Sequence, residues 1–115
     1  MAQIECTFCK IADGRLPSKK VYEDDKVLAF HDISPQAPIH VLIVPKLHIT
    51  SCDAINADNA DYVSAIFQAV PKIAQILGLA EGYRIITNVG RHGCQSVPHL
   101  HFHLIGGKQL SEKML

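Results

Sequence analysis

Three histidines alternate with large apolar residues near the end of the chain, in the sequence His-Leu-His-Phe-His-Leu-Ile over 99–105. Successive side chains of a β-strand point to opposite faces, so a strand here places His99, His101 and His103 on one face, roughly 7 Å apart. Such imidazoles can share a metal ion, attack phosphorus, or act as general acids and bases. The alternative is a set of half-buried histidines satisfied by backbone and water, which is a costly use of adjacent polar groups.

A polar loop from Asn88 to Ser96 precedes the histidines. Gly90 and Gly93 permit positive φ angles and would let backbone N–H groups converge on an oxyanion. The side chains of Asn88, Gln95 and Ser96 are neutral donors suited to a phosphate. Alone, this segment could be an ordinary polar connection, but its position beside the histidine strand favours a binding loop.

The sequence Phe30-His31-Asp32-Ile33 ends another predicted strand. The Asp32 carboxylate can accept hydrogen bonds from both hydroxyls of a ribose, and Phe30 and Ile33 could sandwich a flat base. The alternative, which these residues alone favour, is a turn-capping aspartate beside core residues.

Cys6 and Cys9 form a Cys-x-x-Cys pair, which is half of a tetrahedral zinc set. His48 and His99, each beside a buried strand, could complete it. The alternative is two buried cysteines on a short helix. The four cysteines of the chain could make two disulfides, but in a reducing compartment this pair indicates metal or redox chemistry and leaves the other two as free thiols.

Composition limits the class of protein. A chain of 115 residues with 48% hydrophobic and 19% charged side chains is expected to be one soluble domain. Eleven basic and eleven acidic residues cancel, which argues against nucleic acid and anionic membranes as partners. No signal peptide is visible, and the longest apolar run, 41–45, is too short to span a bilayer. We therefore expect a cytoplasmic protein.

The elements that must position these residues follow from hydrophobic periodicity and turn signals. The predicted elements are a short helix over 8–13, strands over 21–23, 27–31 and 40–44, a long helix over about 57–77, and strands over 83–88 and 99–105. The apolar stripe of the long helix comprises Val63, Ile66, Phe67, Val70, Ile73, Ala74 and Leu77. Pro71 lies inside this pattern and should kink or split the helix. The order predicts an α+β domain, in which an antiparallel sheet of about five strands is covered on one face by the long helix.

Together these motifs resemble those of the histidine triad (HIT) superfamily, most closely its nucleotide-binding protein branch. The histidine motif and the stretch 30–45, Phe-His-Asp-Ile-Ser-Pro-Gln-Ala-Pro-Ile-His-Val-Leu-Ile-Val-Pro, carry the resemblance. It also includes Cys-x-Phe-Cys-Lys-Ile at 6–11, Gly-Tyr-Arg at 82–84, Asn88, Gly-x-Gln-Ser at 93–96 and Gly-Gly at 106–107. Because it covers nearly the whole chain, residues 1–115 are expected to form a single HIT domain.

The resemblance implies hydrolysis of purine nucleoside phosphoramidates and aminoacyl adenylates to a nucleoside monophosphate. His101 would be the nucleophile that forms a nucleotidyl-histidine, and no metal would be required. His103 or Ser96 would supply a proton to the leaving amine, with His40 and His99 as supports. The second nitrogen of His101 should donate to a backbone carbonyl of its own strand. The resemblance also implies a homodimer whose long helices pack together and whose sheets join.

The same resemblance assigns the nucleotide-binding positions. They are Asp32 and Ile33 for the ribose, Phe30, His31 and Leu42 for the base, and Asn88, Gly93, Cys94, Gln95, Ser96, His101 and His103 for the α-phosphate region. Members with two cysteines and two histidines bind structural zinc, which here would use Cys6, Cys9, His48 and His99.

Three positions depart from the family pattern. Cys94 stands where the phosphate loop usually has glycine, and Pro98 stands where the nearest relatives carry an aromatic residue. The tail over 108–115 lacks the Trp-Pro ending of animal relatives. Three other hypotheses stay open: a nucleotide-binding or scaffold module with incidental catalysis, a catalytic zinc centre on the histidine strand, and a dinucleoside polyphosphate hydrolase.

Overall fold

The computed structural model describes residues 6–115. In chain order its elements are α1 (Thr7–Ala12), β1 (Lys20–Glu23), β2 (Val27–His31), β3 (Ile39–Pro45), a 3₁₀ turn (Cys52–Ala54), α2 (Ala60–Ile76), β4 (Tyr83–Ile86) and β5 (Phe102–Gly106). No helix in this part of the chain is long and apolar enough to cross a membrane.

The five strands form one antiparallel sheet with the order β1-β2-β3-β5-β4. The first two strands form the predicted hairpin, whose turn is held by Asp24. Its Oδ1 accepts hydrogen bonds from the backbone N–H groups of Lys26 and Val27, each at 2.8 Å. The predicted α+β architecture, with five strands, one long helix and a short N-terminal helix, is confirmed.

Both faces of the central strand β3 are covered, which explains its continuous apolar sequence. On one face Val41 and Ile43 pack in a cluster with α2. On the other face Leu42 and Val44 pack in a smaller cluster with α1. The short helix α1 therefore lies on the face opposite α2, and this is the face to which the predicted site residues belong.

Helix α2 differs from its prediction in two respects. It begins at Ala60 and runs without a break through Pro71, so the alternative of two helices is wrong. Pro71 lies on the solvent-exposed side, where water can compensate for the backbone hydrogen bond that proline cannot make. Phe67, placed in the apolar stripe, is 50% exposed, and its ring meets that of Phe102 edge-on at a centroid distance of 5.2 Å.

The two strands that flank the polar loop are shorter than predicted. β4 ends at Ile86, and β5 begins at Phe102, so His99 and His101 precede the regular strand. The reason is that side chains replace the strand ladder here. The Thr87 hydroxyl donates to the His101 carbonyl at 2.8 Å, and the His99 carbonyl accepts from a ring nitrogen of His101 at 2.7 Å.

Candidate active site

The histidine segment (residues 99–103) divides its side chains between the two faces of the sheet, as predicted, although it is only partly regular strand. Its apolar side chains join the cluster under α2. His99 and His101 lie on the α1 face, where the Phe8 ring meets both imidazoles edge-on at centroid distances of 5.9 and 5.0 Å. The two histidines are 0% and 4% exposed, so their chemistry takes place almost out of contact with water.

Cys6, Cys9, His48 and His99 come together in one place, which we call the Cys–His cluster. Their four possible ligand atoms all lie within 4.8 Å of one another. The Cys6 Sγ is 3.2 Å from Nδ1 of His99. The Cys9 Sγ is 3.2 Å from Nδ1 of His48.

Contacts and burial fix the protonation of this cluster in the metal-free protein. The Nε2–H of His99 donates to the Pro45 carbonyl at 3.0 Å, so Nδ1 carries the lone pair that faces the thiols. Burial lowers the pKa of His99 to about 4, which keeps the ring neutral at neutral pH. Burial, with Cys6 as the second cause, raises the pKa of the Cys9 thiol to about 12. The Cys9 thiol can therefore donate to the Nδ1 lone pair of His99, 3.5 Å away.

The cluster residues fit a structural zinc ion. Two thiolates and two neutral imidazoles are a common tetrahedral donor set, and zinc bond lengths separate such ligand atoms by about 3.3–3.8 Å. The 3.2 Å sulfur–nitrogen distances are close to that spacing. The hydrogen bond from His99 to the Pro45 carbonyl holds the ring in the tautomer that a metal needs.

His101 has the tautomer that a nucleophile needs. Its Nδ1–H donates to the His99 carbonyl at 2.7 Å. A carbonyl oxygen can only accept, so the proton of the neutral ring is on Nδ1 and the lone pair is on Nε2. The hydrogen bond that the sequence predicted for the second ring nitrogen is present.

His40 and His103 form a directed chain of hydrogen bonds. The backbone N–H of Gln36 donates to Nδ1 of His40 at 3.0 Å, so the neutral His40 ring carries its proton on Nε2. That atom is 2.9 Å from Nδ1 of His103 and donates to it. Burial, followed by the nearby His101 and His40, lowers the pKa of His103 and favours its neutral form. The remaining proton is on Nε2 of His103, a buried atom without a hydrogen-bond partner among residues 6–115.

Asp32 lies beside this chain. Its Oδ1 accepts a hydrogen bond from the Ser34 N–H at 2.7 Å, which is the turn-capping contact considered as the alternative for this residue. Its Oδ2 is 3.4 Å from Nε2 of His40. A metal shared by Asp32, His40 and His103 would move the His40 proton onto Nδ1, against the Gln36 N–H. We therefore interpret Asp32, His40 and His103 as a group that holds and passes protons, and we call it the proton-holding trio.

A cleft of about 890 Å³ opens beside α1. Five predicted nucleotide-binding residues line it: Phe30, His31, Asp32, Ile33 and Leu42. Ile33 is 98% exposed, so its side chain does not pack in the core. Its contact with a ribose stays a prediction. Six further lining residues were missed by the sequence analysis: Thr7, Phe8, Ile11, Pro17, Ser18 and Lys19. The signal available for Phe8 was its position between the two cysteines.

The polar loop is shaped differently from the prediction. Positive φ angles occur at Gly90 (+67°) and at Cys94 (+58°), but not at Gly93. Gly93 is needed for a different reason, because a Cβ there would lie 2.5 Å from the Val89 carbonyl oxygen. Cys94 thus adopts the left-handed conformation that a glycine usually provides in the family pattern.

The side chain of Gln95 holds this loop in shape. Its Oε1 accepts a hydrogen bond from the Gly90 N–H at 3.0 Å. Its Nε2 donates to the carbonyls of Thr50 and Val97 at 2.7 and 2.9 Å. Both amide hydrogens are therefore in use, so a phosphate contact would have to replace one of these bonds. The phosphate-binding roles of the neighbouring polar side chains stay predictions: Asn88, half-buried, and Ser96, exposed.

Comparison with known proteins agrees with this geometry. The HIT domain family model matches residues 13–110. The chain is 46% identical over 107 residues to the purine nucleoside phosphoramidase of Escherichia coli strain K12, covering 92% of this chain and 90% of that protein. It is 45% identical over 106 residues to the 14 kDa zinc-binding protein of Brassica juncea, covering 90% and 94%. A solved HIT family hydrolase from Clostridium thermocellum is 50% identical with a TM-score of 0.93, covering 96% and 97%. The resemblance found in the sequence is confirmed, and this chain belongs to the HIT family.

Proposed function

We propose that this protein hydrolyses purine nucleoside phosphoramidates and aminoacyl adenylates through a covalent nucleotidyl-histidine on His101. The observation that carries the proposal is the hydrogen bond from Nδ1–H of His101 to the His99 carbonyl. It leaves the Nε2 lone pair for attack on phosphorus. The centre of the His103 ring lies 5.1 Å from the centre of the His101 ring. Similarity to the Escherichia coli phosphoramidase supports the class of substrate.

In the first step on a phosphoramidate, Nε2 of His101 bonds to the α-phosphorus as the bond from phosphorus to the amine nitrogen breaks. On an aminoacyl adenylate the phosphorus–oxygen bond breaks instead, and the aminoacyl group leaves as a carboxylate that needs no proton. Because Nδ1 keeps its proton, the intermediate is a nucleotidyl-imidazolium, whose positive charge faces the His99 carbonyl. The amine leaves as a neutral molecule only if its nitrogen gains a proton. Binding of the anionic substrate favours the imidazolium form of His103, with the Nε2–H of His40 turned to Oδ2 of Asp32, 3.4 Å away. Nε2 of His103 then passes its proton to the amine, and Nδ1 keeps the other.

In the second step, water attacks phosphorus and the bond from phosphorus to His101 breaks. The trio takes the proton from the water, and the nucleoside monophosphate leaves. The neutral tautomer of His101 is then restored with its proton still on Nδ1. Electron pairs and protons balance in both steps with these side chains alone, and two modest displacements replace one difficult displacement.

The cleft supplies the groups that bind a purine nucleoside. Phe30 and Leu42, 5% and 7% exposed, offer apolar contact to a flat base. Asp32 offers carboxylate oxygens to the ribose hydroxyls. These groups do not favour adenine over guanine, so the proposal covers both bases.

We assign zinc to the Cys–His cluster as a structural ion. Bound there, it would supply a cross-link between α1 and the two histidines at positions 48 and 99, rather than chemistry at phosphorus. Similarity to the Brassica juncea zinc-binding protein supports this assignment. The four free cysteines suit the reducing conditions of the cytoplasm, where we place the protein.

We propose that two copies associate through the side of the molecule that carries α2 and β4. Phe67 of α2 is 50% exposed and so offers apolar surface to a second copy. β4 is the last strand of the sheet formed by the described residues, so its outer edge is available for pairing.

The experiment is to trap the nucleotidylated protein during turnover of adenosine phosphoramidate and to map the adduct by peptide mass spectrometry. We expect the adduct on His101, and a loss of at least about 10³-fold in kcat for His101→Ala. Lys113→Ala, in the exposed tail, is the matched control and should retain wild-type turnover. Wild-type turnover by His101→Ala, or an adduct elsewhere, would refute the assignment. Tight AMP binding without turnover would favour a binding module, and faster cleavage of diadenosine polyphosphates would favour a dinucleoside polyphosphate hydrolase.

A further inference from the structure

Helix α1 takes part in two sites at once. It has only six residues, and Cys6 at its N-cap and Cys9 within it belong to the Cys–His cluster. Between the cysteines, Thr7 and Phe8 line the nucleotide cleft, as does Ile11, two residues after Cys9. A displacement of this helix would therefore change both sites together.

Phe8 is the side chain that joins the two sites. It is 7% exposed, and three rings meet it edge-on. Their centroid distances are 5.0 Å to His101, 5.8 Å to Phe30 and 5.9 Å to His99. One wall residue of the cleft thus contacts the proposed nucleophile and a ligand of the Cys–His cluster.

Three contacts restrict the ring of His101: the hydrogen bond to the His99 carbonyl and the edge-on contacts with the rings of His103 and Phe8. The hydrogen bond from its Nδ1 to the His99 carbonyl fixes one edge, but a single hydrogen bond leaves the ring able to tilt. The Phe8 ring stands at 83° to the His101 ring and limits that tilt. Edge-to-face aromatic contacts have such an orientation preference.

The position of α1 cannot come from the helix itself. A helix of one or two turns is unstable alone, so packing and side-chain contacts must hold it. Besides the apolar packing of α1 against β2 and β3, the Cys–His cluster ties the helix to distant parts of the chain, from Cys9 to His48 and from Cys6 to His99. Hydrogen bonds from thiols are weak, whereas zinc–ligand bonds are strong and directional.

We propose that zinc in the Cys–His cluster fixes α1 as a wall of the nucleotide cleft, and that Phe8 is the positioning residue that orients His101. The inference rests on the proposed function for the identity of the nucleophile. Its consequence is that metal content controls nucleotide affinity and the geometry of the nucleophile, although zinc takes no part in the reaction.

The first experiment compares metal-free and zinc-loaded protein without relying on turnover. Hydrogen exchange is measured at the Lys10 and Asp13 amides, which bond to the carbonyls of Cys6 and Cys9 at 3.0 Å. AMP affinity is measured by calorimetry on the same samples. We expect zinc to slow exchange about tenfold and to tighten AMP binding about tenfold, because it removes motion that binding must otherwise suppress.

Cys9→Ser, which removes a zinc ligand but keeps the size of the side chain, should abolish both effects of zinc. Cys52→Ser changes an exposed cysteine outside the cluster and should keep both. If zinc binds and the exchange of the α1 amides is unchanged, the proposed coupling is wrong. The exchange measurement needs no nucleotide, so a protein that fails to bind AMP would refute the proposed function while still testing the coupling.

The second experiment tests Phe8 directly. Phe8→Leu keeps an apolar side chain but removes the ring, and we expect kcat to fall about tenfold with a smaller change in KM. Ile11→Val, in the same helix and cleft, should change KM without changing kcat. Phe8→Tyr keeps the aromatic ring and should have a kcat close to that of the wild type. This comparison stays valid even if Phe8→Leu folds poorly. Nitrogen NMR signals of the His101 ring should broaden in Phe8→Leu alone, and equal effects of Phe8→Leu and Ile11→Val on kcat would overturn the positioning role.

Discussion

His99 and His103 are the same residue type on one face of the segment, yet their ring nitrogens have different partners. In His99, Nδ1 faces the Cys6 Sγ and Nε2 donates to the Pro45 carbonyl. In His103, Nδ1 accepts from His40, whereas Nε2 has no partner within the described chain. A histidine with both nitrogens in use can hold structure or a metal, and one with a nitrogen left over can serve a ligand.

His101 lies between these two cases. One nitrogen is fixed by a backbone carbonyl, and the other carries a lone pair. Along five residues the histidines thus change from a ring with both nitrogens bonded to the proposed nucleophile and then to a hydrogen-bond donor. The three roles come from the partners of the ring nitrogens, because residue type and face are the same.

The largest expected effect comes from removing the donor at His103. His103→Phe keeps an aromatic ring without N–H groups, and kcat should fall about 10²–10⁴-fold, because the leaving amine loses its proton source. Single-turnover rates with adenosine phosphoramidate measure this. His103→Gln, which retains a donor, should recover part of the rate. Zinc affinity should not change in either variant, and a His103→Phe rate within threefold of wild type would remove the contrast with His99.

The second prediction concerns His99, whose two ring nitrogens both have partners. Its pKa is about 4 when folded, against 6.5 for an ordinary histidine, so between these values the unfolded chain binds more protons. Stability is therefore full above pH 6.5 and falls as the pH drops toward 4, by about 3 kcal/mol. His103, whose pKa is also lowered, adds a loss of the same sign.

Urea unfolding of the metal-free protein at several pH values between 7.5 and 4 measures this loss. His99→Gln cannot gain the proton, so its unfolding free energy should depend less steeply on pH. An unfolding free energy that is level over this range in the wild type would show that His99 accepts a proton in the folded state.

The third prediction concerns zinc binding by His99 and the other residues of the Cys–His cluster. The Cys9 pKa of about 12 means that zinc must displace the thiol proton. Because the Cys9 thiol must release its proton, zinc affinity should rise at least about 10-fold per pH unit near neutrality. Competition with a chelator at pH 6.5, 7.0 and 7.5 measures it, with Cys52→Ser as the unaffected control. An affinity independent of pH would mean that the cluster holds its thiols ionised before zinc binds.

The smallest expected effect concerns the polar loop, where the conformation of Cys94 should affect stability but not zinc binding. Cys94 has a φ of +58°, which costs a non-glycine residue about 1 kcal/mol. Cys94→Gly removes this cost but loosens the unfolded chain, so stability should rise by only about 0.5 kcal/mol. Cys94→Val should lower stability, and neither variant should alter zinc affinity. Thermal unfolding tests this, and a destabilised Cys94→Gly would mean that the cysteine side chain holds the loop.

The features that the sequence predicted are those with a local periodic signal. The two-residue alternation at 99–105 identifies which face each side chain occupies, even where the regular strand has not begun. The Cys6–Cys9 spacing indicates half of the Cys–His cluster, and the family resemblance assigns His48 and His99 to the other half. The tautomer of His101 follows from the chemistry of imidazole, which allows only one proton on a neutral ring.

Two of the features that the sequence did not predict depend on partners far away in the chain, and a third depends on a choice between adjacent residues. Gln95 is engaged by the Thr50 carbonyl, and nothing near either residue indicates that contact. The early end of β4 depends on the Thr87 hydroxyl finding a carbonyl fourteen residues later. Gly93 and Cys94 are adjacent residues in one turn, so sequence alone could not decide which has the positive φ.

The hydrogen bond between His101 and the His99 carbonyl has a consequence for robustness. The proposed nucleophile and the carbonyl that orients it are separated by a single residue of the same backbone. When the sheet bends or a distant substitution shifts a strand, the ring and its acceptor move together. The chemistry of His101 is therefore protected from small distortions, and substitutions that lower overall stability can accumulate at distant positions without disturbing the reacting nitrogen.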